Sequence, residues 1–262
     1  MEEREFAVPA ADVPVPAGAA VPIAVRPNPI PRWLAIVEVI AVSGVPTGLL
    51  VATIVMLATN MTPFDEGGLT LEFLATVMLL DTALIAVLIR VFLELAGEDS
   101  RSVFIGRKPI WGEMWRGLAL VPVMFAGVTA IVLGLRALMP WLNTVKVSPL
   151  EQYMKTPLDA SIFLVVVVLG GGVREELQRA FVLHRFDQAL GGVKLGLLAF
   201  SVLFGVLHLD QGIDVAIAIG SLGLFWGVLY VRRRSAVMGM TNHAGFNALQ
   251  VVQGVLVRAL GG

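Results

Sequence analysis

Three groups of polar residues in the second half of the chain have the types and spacing that hydrolytic chemistry requires. They are Glu175 with Glu176 and Arg179, His208 with Phe204, and His243 with Asn247. Each group contains residues that are three or four positions apart, which on a helix share one face. A carboxylate out of bulk water can act as a general base, and imidazole and amide groups can hold a water or stabilise an oxyanion. Together these residues suit the hydrolysis of a peptide bond by an activated water.

The chain lacks the residues that other hydrolytic mechanisms require. The chain contains no cysteine, which excludes a Cys nucleophile, thiolate metal ligands and disulfides. It also has no serine in a nucleophile elbow and no HExxH zinc motif.

The composition predicts that membrane-spanning helices hold these residues. Hydrophobic residues make up 57% of the 262 residues and charged residues only 15%, whereas a soluble domain usually carries about 25% charged residues. The mean hydropathy is +0.84. Several apolar runs reach the ~20 residues that a helix needs to cross a bilayer. A net charge of −1 gives no indication of nucleic-acid binding.

We therefore predict an all-α, polytopic membrane bundle with about seven spans. Residues 1–31 are interrupted by prolines and are expected to form a disordered Ala/Pro-rich tail that is dispensable for the fold. Residues 32–262 are expected to form the membrane domain, with the motif-bearing core at about 150–257. The predicted spans are 33–58, 69–95, 118–139, 160–190, 193–208, 213–231 and 236–257.

Basic residues alternate with the predicted spans. Each loop is named here by the two predicted spans that it joins. The basic residues are concentrated in the tail, in loop 2–3, in loop 4–5 and, above all, in loop 6–7, which contains Arg232–Arg234. Lys146 and Lys155 in loop 3–4 weaken the pattern. Because cytoplasmic loops are rich in Lys and Arg, this distribution predicts a cytoplasmic N-terminus and an outside C-terminus.

Further charged residues lie within or beside the predicted spans, where each needs a partner. Glu38 and Asp81 are expected to bond to neighbouring helices, and Arg90 is expected to pair with Glu94 at i, i+4. His184 is expected to be a solvated residue at a helix end. The run 170–172 consists of three glycines, which favours either close helix packing or a locally opened helix beside a water-filled pocket.

The three groups resemble the signature of the CPBP intramembrane proteases, which include the type II CAAX prenyl endopeptidases and bacteriocin-processing and immunity proteins. That signature consists of EExxxR, FxxxH and HxxxN. The second and third motifs are complete in 204–208 and 243–247, and the first, 175–179, is one residue shorter before its arginine. The resemblance covers roughly residues 150–257 and implies an intramembrane endopeptidase.

The resemblance implies Glu175 as the catalytic member of the glutamate pair. On this hypothesis Glu175 is the general base, His208 helps to hold the water, and His243 and Asn247 stabilise the oxyanion. Arg179 would orient the glutamate pair, Glu175 and Glu176, and balance its negative charge. A zinc site formed by Glu175, His208 and His243 and a metal-free glutamate mechanism are both left open.

Two other functional classes compete with the protease. A catalytically silent scaffold or immunity-type relative would keep the fold without the activity. A proton-coupled transporter would use intramembrane Glu and His as a relay, but it predicts internal repeats, which we do not find. The expected partners are the lipid bilayer and a peptide or membrane-protein substrate of unknown identity. The expected location is a bacterial or archaeal cell membrane.

Overall fold

The computed structural model describes residues 30–66 and 68–261, so most of the proposed tail lies outside the described residues. The described part of the chain is almost entirely helical, with one short hairpin of two-residue strands. The elements are α1 Arg32–Ala41, α2 Val45–Ala58, β1 Phe64–Asp65, β2 Gly68–Leu69, α3 Leu71–Leu95, α4 Ser100–Phe104, α5 Ile110–Ala119, α6 Val121–Leu138, α7 Pro157–Val166, a π-helical segment Val167–Arg174, α8 Glu175–Ala189, α9 Val193–Val206, α10 Ile213–Arg233 and α11 Val237–Gly261. Short 3₁₀ turns occupy Pro140–Leu142, Pro149–Met154 and Leu209–Gln211.

The protein is an integral membrane protein, but the expected count of seven spans is not confirmed. Four helical stretches in the described part of the chain are long and apolar enough to cross a bilayer: Leu71–Leu95, Ile110–Leu138, Pro157–Ala189 and Ile213–Arg233. A fifth is possible if α1 and α2 count as one broken span, since they meet at an angle of 41°. Gly44 makes that bend with a φ of +86°, a conformation that favours glycine.

The two remaining predicted spans are not confirmed, for different physical reasons. Helix α9 has 14 residues, which extend about 21 Å and fall short of the ~30 Å hydrocarbon core. Helix α11 has 25 residues, but polar residues, among them His243 and Asn247, are distributed along it. Both helices nevertheless belong to the bundle, where α9 packs against α10, and α11 packs against α5 and the π-helical segment.

The outside of the bundle is apolar, as a lipid environment requires. Leu57 and Leu133 are examples of large apolar side chains that the helices expose, at 83% and 59%. The interior holds apolar clusters as well as buried charges. One cluster joins α1, α3 and α8 through Val42, Ile85 and Phe181.

The loops between helices gather at two opposite ends of the bundle. At one end, Ala236 N–H donates to Phe104 O at 2.8 Å, and Arg32 Nε donates to Ala189 O at 3.2 Å. At the other end, Arg136 Nε donates to Asp214 Oδ2 at 2.6 Å, which joins the end of α6 to the start of α10. The base-rich loops 2–3, 4–5 and 6–7 therefore share the first end, which we call the basic end.

The isolated charges have partners on other helices, as expected. Arg185 on α8 pairs with Glu38 on α1, and Arg174 NH1 lies 2.6 Å from Asp81 Oδ2 on α3. The Arg90–Glu94 pair is confirmed at 2.7 Å.

The expectation that His184 is a solvated residue is wrong. Its side chain is buried, and its Nε2 lies 3.1 Å from Glu98 Oε2. Glu98 also accepts from Arg185 and Gln188 at 2.7 Å each. The chain after α3 folds back over α8 and covers the histidine.

We expect Glu38→Gln to destabilise the protein by about 3 kcal/mol, because removing one partner leaves the fully buried Arg185 under-compensated. The control is Glu94→Gln, which breaks the Arg90 pair, whose side chains are 74% and 56% exposed. This control should change stability by less than about 1 kcal/mol. Denaturant unfolding in detergent micelles measures the free energy of unfolding of both variants. Equal losses in the two variants would contradict a stabilising role for the buried Arg185–Glu38 pair.

Stability should also depend on Glu98 in acid. Burial alone would raise the pKa of this carboxyl, but hydrogen bonds from His184, Arg185 and Gln188 outweigh it and lower the pKa from 4.5 to about 2. A depressed carboxyl pKa means that the stabilisation is complete above about pH 4.5 and is lost as the pH falls towards 2. Thermal unfolding at pH 5 and pH 3 should therefore show a smaller pH effect in Glu98→Gln than in the wild type. If the wild type and Glu98→Gln lose the same stability between pH 5 and pH 3, Glu98 does not contribute to the acid sensitivity.

Candidate active site

The π-helical segment Val167–Arg174 leads directly into the glutamate pair at the start of α8. Its three glycines face different neighbours. A Cβ on Gly170 would lie 2.9 Å from Met78 Cε, one on Gly171 would collide with the Asn247 amide, and one on Gly172 would lie 2.6 Å from the Ala244 Cα. Both interpretations of the glycine run therefore apply, because the helix is locally widened and its neighbours also approach closely.

Glu176 is the buried member of the pair, with its side chain 2% exposed. Its Oε1 is in contact with Arg179, and the same oxygen lies 3.0 Å from His243 Nδ1. A carboxylate oxygen accepts, so Nδ1 of His243 donates and a neutral imidazole carries its lone pair on Nε2. The hydrogen bond between His243 and Glu176 joins α11 to α8 at the site. Gly239 makes room for the carboxylate, since a Cβ there would lie 2.8 Å from Oε2.

Arg179 is surrounded by aromatic rings. Its guanidinium carbon lies 5.0, 4.9 and 5.4 Å from the ring centroids of Phe200, Phe204 and Trp226. The side chain is 1% exposed, and Nε and one terminal nitrogen have no hydrogen-bond acceptor. Cation–π contacts of this kind are worth about 2 kcal/mol when desolvated, so they partly replace the missing hydrogen bonds.

Trp226 is a site residue that the sequence argument missed. Its ring stacks on His243 at 3.7 Å between centroids and 15° between planes. Its Nε1 donates to Asn242 Oδ1 at 2.7 Å, and Asn242 Nδ2 donates to Gly117 O at 3.0 Å. The imidazole of His243 on α11 is thus held by Glu176 on α8 and by the ring of Trp226 on α10. A sequence signal did exist, because this tryptophan lies seven residues inside the end of α10 rather than at the headgroup level that tryptophan favours.

Glu175 differs from its neighbour in having an uncommitted carboxylate. The side chain is 18% exposed, and Oε2 lies 3.8 Å from His243 Nε2, too far for a hydrogen bond. Within residues 30–66 and 68–261, no group donates a hydrogen bond to this carboxylate. The adjacent Arg174 is occupied by Asp81. The two glutamates of the motif therefore have separate environments, one structural and one open.

His208 and Asn247 are anchored through one side of their polar groups. Nδ1 of His208 lies 2.7 Å from Phe204 O, and a carbonyl can only accept, so Nδ1 donates. Nδ2 of Asn247 donates to Val167 O at 3.0 Å, at the start of the π-helical segment. Each anchoring bond leaves a second position free, Nε2 on the imidazole and the other N–H on the amide.

One cavity of about 970 Å³ connects these groups. Glu175, His208, His243 and Asn247 all contribute to its wall, together with Gly171. The structure thus brings four of the six predicted site residues to a shared space. The other two, Glu176 and Arg179, are bonded to each other behind that wall.

The zinc alternative does not fit this arrangement. Among the residues that the structure describes, no group of three or more His, Asp or Glu side chains is placed to hold a metal ion. The expected set of Glu175, His208 and His243 is not placed to hold one. A metalloprotease assignment is therefore not supported.

The comparisons with known proteins agree with the family suggested by the motifs. Residues 157–249 match the family model described as Type II CAAX prenyl endopeptidase Rce1-like. Comparisons with curated proteins and with solved structures gave no match. The match confirms the family resemblance over the motif-bearing region and supports an intramembrane protease.

The exposure of positions 175 and 180 on α8 can be compared by cysteine labelling, because the chain has no native cysteine. Glu175→Cys should react with a small thiol reagent through the cavity. Ala180→Cys is the matched control on the same helix, where the wild-type residue is 1% exposed and the thiol should be protected. Labelling of the folded protein in detergent followed by mass spectrometry checks both. Protection of Glu175→Cys as complete as that of Ala180→Cys would show that the cavity does not reach position 175.

Proposed function

We propose that this chain is an intramembrane endopeptidase in which Glu175 activates a water for attack on a peptide bond. The observation that carries the proposal is the contrast within one motif. Glu176 is buried and bonded to Arg179 and His243, while the preceding carboxylate, that of Glu175, faces a cavity and accepts no hydrogen bond from the residues that the structure describes. A glutamate carboxylate that is held at membrane depth and accepts no hydrogen bond is costly, so its position calls for a functional reason.

The water would lie between Glu175 and His243. The 3.8 Å gap between Oε2 and Nε2 is too long for a direct hydrogen bond, and a water beside both groups can donate one proton to each. As the water oxygen attacks the scissile carbonyl carbon, its proton passes to Glu175. The same carboxyl then donates that proton to the departing amine, which regenerates the base.

The oxyanion would be held by Asn247 and His208. The second N–H of the Asn247 amide is free to donate, because the first is bonded to Val167 O. When protonated, His208 can donate from Nε2 while Nδ1 remains bonded to Phe204 O. This exchanges the two histidine roles expected from the sequence. The reason is that Nδ1 of His243 donates to Glu176, so a neutral His243 has no second N–H to offer an oxyanion.

Glu176 and Arg179 act as positioning residues in this proposal. The carboxylate fixes the tautomer and the rotation of His243, in the way that a carboxylate orients the imidazole of other hydrolytic sites. Arg179 pairs with the Glu176 carboxylate, which leaves Glu175 as the carboxylate that can take a proton from the water. The shortened first motif still brings Arg179 to the second glutamate, at i, i+3.

The competing classes explain less of this geometry. A silent scaffold has no need for a water-accessible carboxylate facing two imidazoles. A proton relay needs a chain of exchangeable groups across the bundle, whereas the polar groups around Glu176 form a compact network stacked against aromatic rings.

Glu175→Gln should lower the rate of peptide cleavage by about 10²-fold or more, since general-base catalysis contributes 10²–10⁴-fold. The assay uses purified protein in detergent micelles with a mixture of apolar peptides, and mass spectrometry detects the new termini. Glu94→Gln on α3 is the matched control, because it removes an exposed carboxylate outside the site.

Three results bear on this proposal. Loss of cleavage in Glu175→Gln with normal cleavage in Glu94→Gln supports it. Full cleavage by Glu175→Gln would overturn the assignment of the base. Absence of cleavage by the wild type across the mixture would favour the silent relative.

A further inference from the structure

We propose that the active-site cavity opens on the non-cytoplasmic side of the membrane and receives the apolar segment of an exported peptide or membrane protein from that side. This inference rests on the proposed function for its substrate and on two independent structural features for its direction. These features are the course of the cavity and the distribution of bases between the two ends of the bundle.

The cavity runs from the site towards the end opposite the basic end. Along α11 its wall extends from His243 to Arg258, fifteen residues or about 22 Å of helix. Its outer part is lined by exposed residues of the loops, Ser148 and Glu151 before α7 and Asp210 before α10. The mouth therefore lies among loops 3–4 and 5–6.

The inner end of the cavity is closed by the ion network. Behind the site wall lie Glu176 and Arg179, at 2% and 1% exposure, packed against aromatic rings. Beyond them the basic end is filled by further ion pairs, such as Arg233 with Glu113 and Arg185 with Glu98. None of these residues lines the cavity.

The bases indicate which end faces the cytoplasm. Exposed bases at the basic end include Arg101, Arg107, Lys108, Lys194, Arg232 and Arg234. At the mouth end the bases are Arg136, Lys146, Lys155 and Arg258, and Arg136 is paired with Asp214. The excess of Lys and Arg marks the basic end as cytoplasmic, so the mouth faces the opposite side.

The wall of the cavity indicates the chemistry of the segment that enters. Below the mouth it is formed mainly by aliphatic and aromatic side chains, including Leu74, Val166, Ile219 and Val251. Apolar walls favour apolar side chains, and the few polar groups converge at the catalytic end, where they would meet the peptide bond. The charged residues at the mouth suit the polar chain that continues outside. A substrate with an apolar segment joined to a charged, soluble portion fits both regions.

The direction can be tested with single cysteines in a chain that has none of its own. Ser148→Cys at the mouth should be labelled by a membrane-impermeant maleimide in intact cells. Lys108→Cys, which is exposed at the basic end, should be labelled only after permeabilisation. The reverse pattern would overturn the proposed direction. Labelling of both sites after permeabilisation checks that each variant is folded and accessible.

Cleavage from one side tests the substrate part. A peptide with an apolar segment and a highly charged tail, which cannot cross a bilayer, is added outside sealed right-side-out vesicles. Cleavage without detergent supports entry from the non-cytoplasmic side, and cleavage that begins only when detergent opens the vesicles overturns it. If the protein cleaves nothing even in detergent, the proposed function fails, and the cysteine labelling still decides the direction of the cavity.

Discussion

The shared carboxylate of Glu176 is the interaction on which the site depends. It binds Arg179 on its own helix and His243 on α11, in a region where water is excluded. A buried charge without a partner is expensive, so each member holds the other two in place. Aromatic rings from α9 and α10 then pack on the guanidinium and the imidazole. Four helices are thereby brought into register around one network.

The departures from regular membrane helices serve this network. The π-helical segment widens the chain just before Glu175, and Gly172 lets α11 approach closely enough for His243 to reach Glu176. Helix α9 ends at Val206, and His208 follows two residues later at the wall of the cavity. Irregular backbone at membrane depth is tolerated where it is buried in protein or lines a cavity, and these breaks meet that condition.

The sequence predicts those features of this arrangement that depend on neighbouring residues within one helix, and not those that depend on contacts between distant segments. The i, i+3 and i, i+4 spacings predicted which polar groups share a helix face, and the expense of membrane charges predicted partners for Glu38 and Asp81. The burial of His184 depends on how the loop after α3 folds back, which no local pattern encodes. The room that Gly239 leaves for Glu176 depends on a helix crossing. The predicted spans at α9 and α11 are not confirmed, because α9 is short and polar residues are distributed along α11.

The central claim is that a water activated by Glu175, rather than the glutamate itself, attacks the peptide bond. A single turnover in ¹⁸O-labelled water, with the protein in excess over a peptide that it cleaves, tests this most directly. Our account predicts that the new carboxyl terminus gains one ¹⁸O atom from solvent in that first turnover. A first-turnover product that instead carries an oxygen transferred from the protein would show a covalent acyl-glutamate intermediate and contradict it.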